Sequence, residues 1–172
     1  MSKIDSIRQA ITVLGRHQLR RLAQLLFYSN LSGDSSPLLQ LEVSRGRLME
    51  LAASKFKAST KDFQEKAFMV GIFSLLEVLL SAPMSDILHS VNLNPIVHEA
   101  LEHRSGSLGR LLIWVESLEK NAPNLLFELK HIPNKEIAML TVDAFLWTTE
   151  WISHLESASE IEDAESPYQH RS

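Results

Sequence analysis

From Ala67 to Leu112 the sequence reads AFMVGIFSLLEVLLSAPMSDILHSVNLNPIVHEALEHRSGSLGRLL, and a breaker or cap stands wherever a helix would have to end. This stretch constrains the fold more than any other. Ser59 and Thr60 are N-cap residues, since their hydroxyls can accept from unpaired backbone amides, and Asp62 complements the helix dipole. The helix they open is expected to run to about Leu80. Its centre (Phe68, Met69, Val70, Ile72, Phe73, Leu75, Leu76, Val78, Leu79) is apolar on most sides, as in a helix surrounded by other helices. Pro83 then opens a short helix to about Val91. Asn94 and Pro95 give an N-cap followed by proline at the first helical position, and that helix reaches about His103. Ser105-Gly106-Ser107 breaks it and caps another, Leu108 to about Lys120, with Leu111, Leu112, Val115 and Leu118 on one face.

The flanking segments read the same way. Ile4, Ile7, Ala10, Ile11 and Leu14 share one helical face ending at Gly15, and Leu19, Leu22, Ala23, Leu25 and Leu26 mark a second helix. Asn30 to Pro37, NLSGDSSP, is a loop of turn formers. A third helix is expected from Leu38 to about Phe56, with Leu41, Leu48, Leu51 and Ala52 inward and Arg45, Arg47 and Glu50 at the solvent. Pro123 begins a short helix ending near His131. The last helix spans Asn134 to about Leu155, with Ile137, Leu140, Ala144, Trp147, Trp151 and Leu155 inward. No period-two strand pattern persists, so the fold class is all-α, a single compact multi-helix bundle over residues 1–156. The polar, acidic stretch 157–172 has too little apolar content to repay ordering and is expected to be a disordered tail.

At 172 residues one core is the default, burying roughly 70% of the unfolded surface. A net charge of −4 lacks the basic balance that drives phosphate neutralisation, which lowers the expectation of nucleic-acid binding. Without cysteine there is no disulfide frame, thiolate metal site or thiol nucleophile. The N-terminus lacks a signal-peptide core, and the longest apolar run, Ala67 to Leu80, falls short of the about 20 residues that span a bilayer and carries Glu77. A cytoplasmic protein is the expectation.

Chemistry is sparse. Of seven histidines, His98 and His103 lie near Glu99 and Glu102, but an i, i+5 spacing places the imidazoles well over 100° apart on a helix of about 3.6 residues per turn. No metal, cofactor or catalytic residue is assigned, and neither a nucleophile elbow nor a phosphate loop is present. Arg16, Arg20 and Arg21, with His17, have binding character: Arg16 and Arg20 share a helix face and can grip a phosphate or an acidic protein surface, although a solvated face is the simpler reading. Glu77 and Glu116 sit in apolar helices and mark either the edge of the apolar face or buried polar links.

SIRQAITVLG, Ser6 to Gly15, resembles the helix and Leu-Gly turn of HDOD domains, non-catalytic relatives of the HD-superfamily phosphohydrolases. SRGRLMELAA (Ser44 to Ala53), KAFMVGIFSLLEVLLSAPMSDIL (Lys66 to Leu88), VNLNPIVHEALEHRSGSLGRLLIWVESLE (Val91 to Glu119) and the Trp-containing last helix are similar to the carboxy-terminal region of bacterial signalling proteins that join an EAL cyclic-di-GMP phosphodiesterase domain to an HDOD domain. The resemblance covers about residues 4 to 155. It implies a bacterial regulatory module that works by protein–protein contact and is linked to cyclic-di-GMP signal transduction, with no enzyme activity of its own. Consistent with it, the sequence has no His-Asp dipeptide, and SRGRLMELAA carries no histidine where it resembles a ligand helix of the HD superfamily.

Related proteins carry further HDOD helices and the EAL domain ahead of the Ser6 helix. If such helices normally cover the first three here, their apolar faces are left open, and the chain is expected to self-associate or to dock a protein partner through its N-terminal helices. Two other readings stay open: a degenerate HD-type metal-dependent phosphohydrolase with histidine and carboxylate ligands from separate helices, and a nucleic-acid-associated regulator with a basic face joining Arg16, Arg20 and Arg21 to Lys55 and Lys57.

Overall fold

In the computed structural model, the described residues are 37–80, 82–90, 93–120 and 129–165. They form seven helices and no strand: α1 (Pro37–Ala53), α2 (Lys61–Phe73), α3 (Leu76–Leu80), α4 (Met84–Ser90), α5 (Pro95–His103), α6 (Gly106–Glu119) and α7 (Asn134–Glu165). The all-α class follows directly. The two N-terminal helices, the loop from Asn30 and the short helix after Pro123 fall largely or wholly outside the described residues.

Local chemistry sets several of the boundaries. Thr60 caps α2, its hydroxyl accepting from the Phe63 amide at 3.1 Å. The Asn94 side chain accepts from the Ile96 amide at 2.9 Å, with Pro95 in the first turn of α5. Ser105 occupies the N-cap position of α6 as expected but gives no cap bond; its hydroxyl instead donates to Glu99 at 2.6 Å. Arg104, in the left-handed region at φ 53°, turns the chain between α5 and α6.

The helix expected to run unbroken to Leu80 is interrupted after Phe73. Ser74 donates its hydroxyl to the Gly71 carbonyl at 2.7 Å and accepts from Arg45 at 2.8 Å. A serine that bonds the backbone behind it competes with the helical ladder, and the arginine from α1 holds it there. Glu77 therefore lies in the first turn of α3, exposed, which agrees with the edge reading.

The packing centres on α1 against α2, with α7 on the other side of α1, α5 against α6, and α2 in contact with both α5 and α6. Met49, Val70, Val97, Leu101, Leu108, Leu111, Leu112 and Val115 are fully buried between them. The α1–α2 crossing is close because Gly46 faces Gly71: a methyl group built on Gly71 would sit 2.5 Å from the Gly46 Cα. On α7, Leu140 and Ala144 are buried and Ile137 and Trp147 half-buried, as their spacing predicts. Trp147 meets Phe68 of α2 edge to face at 6.2 Å and lies under the Arg47 guanidinium at 5.2 Å, tying α1, α2 and α7 together.

Two expectations for α1 need correction. Leu41, expected inside, is 37% exposed, and Arg45, expected at the solvent, is buried. Leu48 and Ala52 are buried as expected, and the buried face widens from them to take in Glu42, Val43, Arg45, Gly46, Met49 and Ala53, while Leu41 lies in the first turns of the helix. Arg47 and Glu50 are half-buried and paired with each other at 2.6 Å. The last helix also runs beyond Leu155 to Glu165, so residues 157–165, expected as disordered tail, are helical. The strong helix propensity of Glu and Ala there needs no apolar face to extend the helix locally.

Candidate functional site

Helix α7 is apolar on two opposite sides. Ile137, Leu140, Ala144 and Trp147 face the core, while Met139, Val142, Phe145 and Leu146 are 56%, 55%, 51% and 58% exposed. At about 100° per residue these four fall within an arc of about 120°, opposite the buried set. A helix with apolar residues on both faces belongs between two layers, and only one layer is supplied by the described residues. Large apolar side chains gathered in one patch mark contact surfaces, in contrast to the scattered exposure of Val78 or Ile96. No motif announces this stripe. The one available signal is that a surface helix should have offered polar residues at 139, 142, 145 and 146.

Behind α7, the inner face of α1 carries a polar node. Arg45 donates to both carboxylate oxygens of Glu119 on α6, at 2.8 and 2.5 Å, and to Ser74 at the α2 break. One guanidinium thus joins α1, α2 and α6. One turn earlier, Glu42 is 1% exposed and neither of its oxygens has a hydrogen-bond partner among the described residues. Burial pushes its carboxyl up to about 8 from an ordinary 4.5, against the opposing pull of the Arg45 charge. Removing Arg45 strands the buried end of this node. Arg45→Met, which leaves a Glu119 side chain that is 24% exposed and can rehydrate, is expected to cost roughly 2–4 kcal/mol in urea unfolding, and Glu119→Gln at least as much, because it leaves the buried Arg45 guanidinium without its counter-charge.

The residues singled out from sequence fare differently. Arg16, Arg20 and Arg21, the candidate phosphate or acidic-partner grip, lie outside the described residues, as do the N-terminal helices proposed for self-association. His98 and His103 both approach the Glu102 carboxylate, at 3.3 and 3.7 Å, so the intervening glutamate brings together what the helical angle separates. Among the described residues no group of three or more His, Asp or Glu side chains is placed to hold a metal ion. Glu116 is a partly buried link, accepting from Arg104 at 3.2 Å. Lys55 is paired with Glu136 at 2.6 Å, and the arginines expected to share a basic face with Lys55 and Lys57 lie outside the described residues. Among the described residues no helix is long and apolar enough to cross a membrane.

No protein-family profile matches the chain. It is 31% identical over 161 residues to the uncharacterized protein YuxH of Bacillus subtilis, across 91% of this chain and 38% of that protein. It is 35% identical over 120 residues to the cyclic di-GMP phosphodiesterase CdgJ of Vibrio cholerae, across 68% of this chain and 27% of that protein. The chain thus spans well under half the length of either relative. No solved structure is significantly similar.

Proposed function

We propose that the chain is a non-catalytic HDOD-type regulatory module of cyclic-di-GMP signalling that acts by docking a cyclic-di-GMP phosphodiesterase domain on the outer face of α7. The observation that carries this reading is the similarity to part of CdgJ, whose name is that of a phosphodiesterase and most of whose length lies outside the aligned region. The exposed row Met139, Val142, Phe145 and Leu146 supplies a surface of the right kind. An apolar centre rimmed by polar groups, here Thr141 on one side and Asp143 and Glu150 on the other, is the usual anatomy of such a contact. Central aromatic and aliphatic anchors carry most of the affinity in such interfaces.

The test mixes the purified chain with a cyclic-di-GMP phosphodiesterase domain taken from a relative and follows complex formation by light scattering and hydrolysis by product release. The expected result is a complex with an altered rate of hydrolysis. In the double variant Phe145→Glu, Leu146→Glu, affinity falls by about a hundredfold while the helix content of the module is unchanged. Hydrolysis of a phosphodiester by the chain alone would overturn the reading in favour of a degenerate phosphohydrolase. Self-association through the same stripe, without binding of the phosphodiesterase domain, would replace the partner with a second copy.

A further inference from the structure

On another side of the molecule, a concave site of about 540 Å³ opens where the α1–α2 turn, the start of α2, the first turn of α6 and the turn before α7 come together. Its walls include Phe56, Lys57, Phe63, Ser107, Lys130 and His131. The volume is that of a small-molecule site. Two features set it apart from a surface dent. Its described lining contains two lysines and a histidine but no carboxylate, in a chain whose net charge is −4. The nearby lysines Lys55, Lys61 and Lys66 are each neutralised by a glutamate or aspartate, whereas Lys57 has no ion-pair partner among the described residues.

The apolar part of the wall is equally specific. Phe56 and Phe63 are half-buried, their rings 5.3 Å apart and tilted by 54°, so the surface they leave to the cavity is aromatic. Ser107 belongs to the first turn of the 14-residue helix α6, whose N-cap serine is bonded to Glu99 and gives no side-chain hydrogen bond to that turn.

We infer that this cavity binds a nucleoside phosphate, with the phosphate held by Lys57, Lys130 and His131 and the base lying against Phe56 and Phe63. Charge-assisted hydrogen bonds from Lys57 and Lys130, with the His131 imidazole beside them, match a phosphomonoester dianion better than a single carboxylate. Stacking on aromatic side chains suits any nucleobase. The site is separate from the α7 stripe and does not depend on phosphodiesterase docking.

The test is isothermal titration of the whole chain, without any partner, at low ionic strength, with GMP, guanosine and inorganic phosphate as separate probes. The expected result is 1:1 binding of GMP with a Kd below about 1 mM, and binding at least about tenfold weaker for guanosine and for phosphate alone. Lys57→Glu, at an exposed position, weakens GMP binding by about tenfold or more, and Phe56→Leu, which keeps apolar bulk, weakens GMP while leaving phosphate unchanged. The inference is overturned by a GMP Kd above about 10 mM, by phosphate binding as tightly as GMP, or by Lys57→Glu leaving the GMP affinity within about twofold.

Discussion

Gly71→Ala is expected to be among the most damaging single-methyl changes in the described part of the molecule, together with Gly109→Ala, whose added carbon would stand 2.2 Å from the Arg104 carbonyl carbon. At Gly71 the added carbon would stand 2.5 Å from the Gly46 Cα, 2.8 Å from its nitrogen and 2.9 Å from the Arg45 carbonyl oxygen. All three are backbone atoms, so no side-chain rotation relieves the overlap, and α1 and α2 must separate along their most extensive contact. Met49, Ala52, Ala67 and Val70 would then lose close packing together. A cost above about 3 kcal/mol follows, a large share of a typical total of about 5–15 kcal/mol. Gly46→Ala is the control. Its new carbon meets the Ile72 side chain at 2.8 and 2.9 Å and the Phe68 carbonyl only at 3.2 Å, and a side chain can move where a backbone cannot. Urea unfolding followed by circular dichroism should rank Gly71→Ala well below Gly46→Ala. Equal midpoints would mean that the helices are not in backbone contact.

The second large effect is a loss of stability as pH rises. The Glu42 carboxyl titrates at about 8 in the folded chain and near 4.5 when exposed. Between these values the native state holds a proton that the unfolded state has released, so the free energy of unfolding falls with increasing pH and levels off above about 8. At about 1.4 kcal/mol per pH unit, the shift from 4.5 to about 8 sets an upper limit of about 5 kcal/mol. Glu42→Gln removes the titration. It is expected to match the wild type near pH 5, to exceed it by several kcal/mol at pH 8.5, and to show a flatter profile between. The difference between the two urea-midpoint profiles isolates Glu42 from every other titrating group. Parallel profiles would show that the carboxyl is solvated in the folded chain.

These two effects bear on the proposed docking surface because α1 is the floor on which α7 rests. Moving α1 away from α2, or charging Glu42 within its buried face, disturbs the layer beneath Leu140 and Ala144. Protein-contact assays on α7 variants are therefore best run near pH 6, where the wild-type Glu42 is neutral.

The sequence by itself determined what depends on near neighbours along the chain. Thr60 and the Asn94-Pro95 pair fixed helix starts because an N-cap bond reaches only two or three residues forward. The spacing of Ile137, Leu140, Ala144 and Trp147 fixed the inner face of α7 because a helix repeats every 3.6 residues whatever surrounds it. The all-helical class followed from these local rules. Only the tertiary structure decided which charged residues are buried. Arg45 has the composition of a surface position, and it lies inside because Glu119, 74 residues away in sequence, and Ser74 satisfy its guanidinium. The same bond explains why the helix after Thr60 stops at Phe73, when its apolar run continues. Leu41 shares a helical side with the buried Leu48 and Ala52 yet is exposed, because the helices that cover α1 further along do not cover that side of its first turns. The outer stripe of α7 and the cavity at Lys57 were hidden for a related reason. Periodicity reports that a side chain is apolar or charged, while exposure depends on which helices arrive beside it, and that is decided by the fit of whole surfaces rather than by any local run of residues.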